Sequence, residues 1–294
     1  MEVPCWSSRL TSAALTCRRI AAPVVTSFSM ARPYLSHPAP WLVAHRGGSL
    51  LSPENTFVAF DRAVELESDA VETDVHLTRD GVVVVFHDDE TDRLTGAAGT
   101  IEERTLSEVR ALDAAYGFTL DGGRTFPLRG LGVRVPTLAE TLARYPALRF
   151  NVDAKSEDPA LADALVREVK SARAVERVCL GSFFDAQAVR IGAQLPEVAR
   201  YLPQHAATCH VMAAKSGQPA TGCPSGYDLA SLPHRLEATT VVDRPVVEHF
   251  HRLGIPVHVW TVDEEADMRA LLALGVDGLV TDRPDLAARV MKRG

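Results

Sequence analysis

The sequence predicts an α/β fold in which eight short parallel strands alternate with helices and close into a (β/α)8 TIM barrel. The chain of 294 residues is long enough for one such barrel of about 250 residues, with a tail to spare. Short apolar runs typical of buried parallel strands recur along it. Polar residues follow several of these runs, and the catalytic groups of such barrels collect at the strand ends. The same pattern therefore predicts the fold and the place of the site.

The first strands of the barrel each lead to polar residues. The first strand is predicted at residues 41–45, and Ser52 is the predicted cap of the helix that follows it. The second strand is predicted at residues 70–75. Asp80-Gly81 is a hairpin signal, so residues 82–86 are expected to return as an extra antiparallel strand.

A small insertion is predicted after the second strand, at about residues 89–135, with one short helix. Thr137 and Glu140 have the spacing of a capping box at the start of the next helix. Residues 203–225 are predicted as a loop that leaves His210 on the surface. The remaining strands are predicted at residues 148–154, 178–181, 198–202, 227–229, 255–262 and 278–282.

The chain is divided into a tail of residues 1–40, expected to be disordered, and a barrel domain of residues 41–294. The segment before Met30 has three arginines and one acid, which resembles an organellar transit peptide. A disordered tail or an upstream start codon is favoured over that interpretation. We expect a cytoplasmic protein, with organellar targeting left open. The sequence contains no run of about 20 apolar residues, so it predicts no transmembrane segment.

Charge and cysteine usage narrow the class of protein. The net charge of −7 argues against a nucleic-acid partner. The five cysteines are scattered, with no zinc or redox spacing, which favours a reducing compartment. Cys179 is expected to be a small core residue of a strand. The oligomeric state is left unknown by the sequence.

The candidate site begins with two carboxylates and two histidines. Glu72 and Asp74 are two residues apart on a strand and share one face. In a barrel interior they would repel each other unless a hard cation such as Mg²⁺ or Ca²⁺ neutralised them. The alternative is that one pairs with an arginine and the other is solvated. His45 and His87 end apolar runs and suit general acid and base roles, and Arg46 suits a phosphate oxygen.

Together these motifs resemble the glycerophosphodiester phosphodiesterase family in order and spacing. The motifs are His45-Arg46-Gly47, Pro53-Glu54-Asn55-Thr56, Glu72-Thr73-Asp74-Val75, Thr78-Arg79-Asp80-Gly81 and His87-Asp88. The resemblance implies a phosphoric diester hydrolase that converts a small-molecule glycerophosphodiester into glycerol 3-phosphate and an alcohol. Which histidine is the acid, and whether water or the glycerol hydroxyl attacks, stay open.

The resemblance also implies a role for residues later in the chain. Asp153 would be the third metal ligand beside Glu72 and Asp74, for Mg²⁺, Ca²⁺ or alternatively Mn²⁺. The family usually has Glu there, and the shorter Asp puts the position and identity of the ion in question. Lys155 would contact phosphate, and Trp260 would form an apolar wall against the glycerol. Asp282 is expected to cap the last helix.

Two other functions compete with this interpretation. A lysophospholipase D or sphingomyelinase D-like enzyme would share the barrel but needs an apolar surface for a lipid, and the insertion shows no evident Leu or Phe stripe. A non-catalytic barrel that only binds a phosphate ligand is less favoured, because every histidine and carboxylate of the pattern is present.

Overall fold

The computed structural model describes residues 32–292. The strands are β1 (Trp41–His45), β2 (Ala70–Leu77), β3 (Val83–Val85), β4 (Arg149–Ala154), β5 (Val178–Gly181), β6 (Ala199–Arg200), β7 (Ala230–Pro233), β8 (Arg235–Leu236), β9 (Thr239–Thr240), β10 (Val257–Trp260) and β11 (Gly278–Thr281). The helices are α1 (Phe57–Glu65), α2 (Asp92–Thr95), α3 (Leu106–Val109), α4 (Leu138–Arg144), α5 (Pro159–Ser171), α6 (Asp185–Gln194), α7 (Gln204–Ser216), α8 (Arg244–Arg252), α9 (Glu265–Leu274) and α10 (Pro284–Val290).

Eight parallel strands curl into the barrel in the order β6-β5-β4-β2-β1-β11-β10-β7. A parallel bridge between Tyr201 and Leu229 joins its two ends, where the Leu202 amide donates to the Leu229 carbonyl at 3.0 Å. β3 returns antiparallel to β2, as the Asp80-Gly81 turn predicted. The prediction of a TIM-barrel-like α/β fold is confirmed.

The strands are apolar on both faces because helices cover the outside and side chains fill the inside. Outside, Phe60 of α1 packs edge-on against Phe150 of β4, with ring centroids 5.9 Å apart. Inside, Trp41, Cys179 and Tyr201 belong to one buried cluster. Cys179 is thus the strand core residue that the sequence predicted.

Local capping matches the sequence at one helix and differs at another. Thr137 and Glu140 form the predicted capping box of α4. Helix α1, however, is capped by Thr56 and not by Ser52, because the backbone from Arg46 to Asn55 forms turns first. Arg46 and Asn55 themselves have left-handed φ angles of 51° and 57°.

The stretch after β6 is the largest error of the prediction. Residues 204–216 form helix α7 instead of a loop, and β7 begins at Ala230, just past the predicted strand 227–229. Cys209 and Cys223 form a disulfide that the sequence analysis did not anticipate, so cysteine usage no longer argues for a reducing compartment. His210 is buried against His249, with the Nδ1 and Nε2 atoms 3.1 Å apart, and is not a surface residue.

The described part of the predicted tail is folded. Pro33–Ser36 form a 3-10 turn below the barrel, and Tyr34 is fully buried. The predictions for residues 1–31 lie outside the described residues. Within residues 32–292, none of the helices has the length and apolar character needed to cross a membrane.

Candidate active site

Strand register brings the predicted acids and one histidine to the same end of the barrel. His45 lies opposite Glu72 in the pairing of β1 with β2. Asp74 lies opposite Asp153 in the pairing of β2 with β4. All of these strands are parallel, so their carboxyl ends open on one side, called here the mouth. Lys155 follows β4 directly and reaches the same place.

His45 is held between two carboxylates. Its Nδ1 is 2.8 Å from Asp282 Oδ1, and its Nε2 is 3.7 Å from Glu72 Oε2. Burial and the charge of Arg46 oppose protonation, but Asp282 and Glu72 outweigh them and raise the pKa of His45. The expectation that Asp282 caps the last helix is wrong, because Arg283 occupies the cap position of α10 and Asp282 binds the histidine.

His87 reaches the mouth at the end of the antiparallel return. Its Nδ1 is 2.7 Å from Asp88 Oδ1, and Arg93 Nε donates to Asp88 Oδ2 at 2.5 Å. Burial would raise the pKa of Asp88, but the hydrogen bonds from His87 and Arg93 lower it, so this carboxylate stays ionised. Both site histidines are therefore fixed through Nδ1 by a carboxylate, which leaves Nε2 of each for a reacting group.

Two of the three acids already have cationic partners. Lys155 Nζ lies 2.9 Å from Asp74 Oδ1 and 2.8 Å from Asp153 Oδ2. Arg46 Nε is 3.4 Å from Asp74 Oδ2, which also accepts a hydrogen bond from Asn55 Nδ2 at 3.0 Å. Burial opposes ionisation of Asp74, but Lys155, His87 and Arg46 hold its pKa well below the usual range.

Glu72 is paired less closely, because its Oε2 lies 3.7 Å from His45 Nε2. Its Oε2 is buried and accepts no hydrogen bond. Burial and the neighbouring Asp74 charge raise the pKa of Glu72 to about 7. The three acids and two cations leave one uncompensated negative charge, so a divalent ion at this rim would satisfy the orphaned oxygen. The donor set is all oxygen, which fits the predicted class of metal.

A second set of potential ligands lies nearby. Among residues 32–292, the compact group of three ligand atoms within 4.8 Å of one another is Glu54, His87 and Asp88. Arg93 occupies this group, with Nη1 3.0 Å from Glu54 Oε2 and Nε on Asp88. The guanidinium neutralises both carboxylates, as Lys155 does for Asp74 and Asp153 on the other side of the mouth.

The structure adds functional neighbours that the sequence analysis missed. Tyr201 OH donates to Asp153, and its ring fills the space above Gly181, where a Cβ would lie 2.2 Å from it. Phe183 packs edge-on against Trp260 at 5.9 Å, which extends the predicted apolar wall. Ser182, directly after β5, donates to the Ala154 carbonyl at 2.6 Å. The sequence signals for these neighbours were a tyrosine within the predicted strand 198–202 and a phenylalanine soon after the predicted strand 178–181.

The sequence model of the glycerophosphoryl diester phosphodiesterase family matches residues 45–286 of this chain. The chain belongs to this family. The match spans β1 to α10, so it covers both site histidines, the three acids and Asp282. The prediction of a phosphoric diester hydrolase is confirmed at the level of the family.

Several relatives align along nearly their whole length. A glycerophosphodiester phosphodiesterase of Caldanaerobacter subterraneus subsp. tengcongensis is 32% identical over 86% of this chain and 98% of its own. A putative family member from Silicibacter pomeroyi has 29% identity and a TM-score of 0.70, covering 87% of this chain and 94% of its own. A phosphodiesterase of Oleispira antarctica, solved with the product sn-glycerol-3-phosphate, shares the fold at 24% identity and a TM-score of 0.68, covering 86% and 97%.

Proposed function

We propose that this family member is a metal-dependent glycerophosphodiester phosphodiesterase that releases glycerol 3-phosphate and a free alcohol. The observation that carries the proposal is the pairing of two histidines, each held through Nδ1 by a carboxylate, around an acidic rim with one orphaned oxygen. The names of the relatives support the substrate class, and the product bound to the Oleispira antarctica protein supports a small-molecule ligand.

Glu72, Asp74 and Asp153 are proposed to hold the divalent ion, Mg²⁺ or Ca²⁺, with Mn²⁺ as an alternative. When bound, the ion supplies positive charge that stabilises the phosphorane-like transition state. Asp153 is shorter than the usual Glu of the family, and both of its oxygens already have donors in Lys155 and Tyr201. Each carboxylate oxygen has a second lone pair, so these contacts still leave a site for a metal ion on Asp153.

Arg46 and Lys155 are proposed to neutralise the phosphate oxygens. Arg46 Nη1 donates to Glu54 Oε1 at 2.9 Å, and its Nε faces Asp74, so the guanidinium is fixed beside the acids. Burial lowers the pKa of Lys155, but the charges of Asp153 and Asp74 raise this pKa by more than burial lowers it. The ammonium therefore stays charged. Two fixed cations at the mouth make it receptive to an anionic diester.

His45 and His87 are proposed to exchange protons with the substrate through their Nε2 atoms. One takes the proton of the attacking nucleophile, which is either water or the glycerol hydroxyl, and the other donates a proton to the departing alkoxide. Asp282 and Asp88 hold the rings in orientation, and Asp282 also stabilises the imidazolium form of His45. Trp260 and Phe183 form an apolar wall at the same mouth, suited to the carbon backbone of the glycerol.

A substrate panel in defined metal tests the proposal. Purified protein is treated with EDTA and assayed for glycerol 3-phosphate released from glycerophosphocholine and glycerophosphoethanolamine, and for choline released from lysophosphatidylcholine, before and after return of Mg²⁺, Ca²⁺ or Mn²⁺. We expect the two glycerophosphodiesters to be hydrolysed only after a metal is returned. Full turnover in EDTA would remove the metal from the proposal, and no turnover of any diester with any metal would refute the activity.

A further inference from the structure

The large apolar side chains that stay exposed are concentrated around the mouth. The structure exposes ten of them within residues 32–292, and five follow strand carboxyl ends or belong to the insertion. These five are Leu50, Tyr116, Leu120, Leu131 and Phe183. Leu120 and Leu131 are the most exposed of all, at 64% and 69%. Single exposed apolar residues are ordinary, but a concentration at one functional face indicates a partner.

The insertion is anchored directly beside the catalytic groups. The Gly117 amide donates to the Leu94 carbonyl of α2 at 3.1 Å. The Tyr116 ring packs on Gly96, where a Cβ would lie 2.5 Å from it. The preceding residue of α2, Arg93, binds Glu54 and Asp88 at the mouth. Leu120 and Leu131 therefore lie on a segment that borders the substrate entrance.

Internal hydrogen bonds hold both leucines away from the core. Asp121 Oδ1 accepts from the Arg124 and Thr125 amides, each at 2.9 Å, and closes a turn next to Leu120. Asp113 Oδ2 accepts from the Gly130 amide at 2.7 Å, next to Leu131. The leucines are thus presented by preformed turns, which lowers the entropy cost of binding a surface.

The same segment carries arginines without acidic partners. Arg124 and Arg134 are exposed, and neither forms an ion pair with a carboxylate in the part of the chain that the structure describes. Arg129 stacks on the rings of Tyr116 and Phe126, at 3.9 Å and 3.7 Å from their centroids. The two acids within residues 113–134, Asp113 and Asp121, accept hydrogen bonds from backbone amides. In a chain of net charge −7, this is a local cationic and apolar surface.

We propose that this surface, formed by Tyr116, Leu120, Arg124, Leu131 and Arg134 and called here the docking loop, binds an anionic lipid bilayer. Leucines on preformed turns can enter the headgroup region, while arginines beside them contact lipid phosphates. Docking turns the mouth toward the membrane. The inference goes beyond the proposed function, because binding requires no turnover.

Vesicle binding tests the docking loop against a matched control. Cosedimentation of the full chain is measured with vesicles of phosphatidylcholine alone and with equal parts of phosphatidylcholine and phosphatidylglycerol. The double variant Leu120→Asp/Leu131→Asp is compared with Val189→Asp/Met212→Asp, whose side chains are each 61% exposed on α6 and α7. We expect the first variant to lose on the order of tenfold or more in partitioning onto anionic vesicles, and the control to change less than about twofold.

Further readouts separate this proposal from the proposed function. The tryptophan fluorescence of the Leu120→Trp variant should shift to shorter wavelength on anionic vesicles, while that of Val189→Trp should not. Added salt should weaken binding of the unaltered chain to these vesicles. Hydrolysis of water-soluble glycerophosphocholine should be unchanged in all of these variants. No binding of the unaltered chain to anionic vesicles, equal binding to both vesicle types, or equal loss in the two double variants would overturn the docking loop whatever the enzyme hydrolyses.

Discussion

The two ends of the barrel interior contain buried histidines that differ in charge. His45 at the mouth has a raised pKa because Asp282 and Glu72 outweigh burial and Arg46. His258 at the opposite end, called here the floor, lies 5.3 Å from the Trp41 ring. Burial lowers the pKa of His258 to about 4, and its Nδ1 has no hydrogen-bond partner. The same residue type is thus prepared for proton transfer at one end and kept neutral at the other.

The surroundings of the two ends explain this difference. At the floor, Tyr34 OH donates to Asn151, and Arg149 Nε donates to the Tyr34 carbonyl at 3.1 Å, so a folded turn closes the barrel. At the mouth, carboxylates and cations lie close together, and the buried Oε2 of Glu72 accepts no hydrogen bond. The comparison teaches that stabilising contacts close the floor, whereas unsatisfied charge is kept at the mouth, where we propose that substrate and metal bind.

Removal of a mouth histidine is expected to have the largest effect. His45→Ala or His87→Ala should lower kcat by about a hundredfold to ten-thousandfold, because each removes a proton-transfer group. His205→Ala, on an exposed residue of α7, is the control and should keep normal turnover. Thermal unfolding should be close to that of the unaltered chain. Normal turnover in either site variant would mean that the mouth does not use that histidine.

Replacement of the floor histidine should change stability and not turnover. His258 titrates near 6.5 when unfolded and near 4 when folded, so the unfolded state binds more protons between these values. The unaltered chain should therefore lose stability as pH falls through this window, by up to roughly 3 kcal/mol. Denaturant unfolding at about pH 7 and about pH 4 should show that His258→Leu loses less stability between these two pH values than the unaltered chain does. An identical pH slope in both proteins would contradict the assignment.

Removal of the Glu72 charge at the mouth should raise the stability of the protein in EDTA and lower its turnover. In EDTA near pH 8, Glu72→Gln should increase the free energy of unfolding by about 2 kcal/mol, because it removes a buried charge whose Oε2 accepts no hydrogen bond. Turnover with metal should fall, and metal should no longer raise the unfolding midpoint, whereas we expect it to do so for the unaltered chain. Glu248→Gln, on an exposed residue of α8, is the control. Destabilisation of the Glu72 variant in EDTA would show that the pairing of Glu72 with His45 outweighs the cost of burying the carboxylate.

The smallest expected effect is at the floor turn. Tyr34→Phe removes the hydrogen bond to Asn151 and should cost about 1 kcal/mol in urea unfolding, with unchanged turnover. Tyr227→Phe, on a half-buried residue before β7, should cost less. A loss of turnover in Tyr34→Phe without a loss of stability would show that floor and mouth are coupled through β4.

The comparison also shows which predictions succeeded. The apolar runs of β1, β2 and β4 and the Asp80-Gly81 turn identified the strands that carry the site. The acids and His45 were predicted to converge because parallel strands open on the same side. Helix α7 was missed because its hydrophobic pattern is weak and Gly and Pro residues follow it. The Cys209–Cys223 disulfide was missed because spacing alone does not define a pairing.

The sequence alone determined the barrel, the family and the residue types at the mouth, because these depend on periodicity and on motifs with fixed local spacing. The partners of those residues depended on the tertiary structure. Asp282 reaches His45 across 237 positions, and Tyr201 reaches Asp153 across 48, because strands distant in the chain become neighbours when the sheet closes. Whether a buried histidine becomes charged or stays neutral is decided by such neighbours, and local sequence carries no record of them.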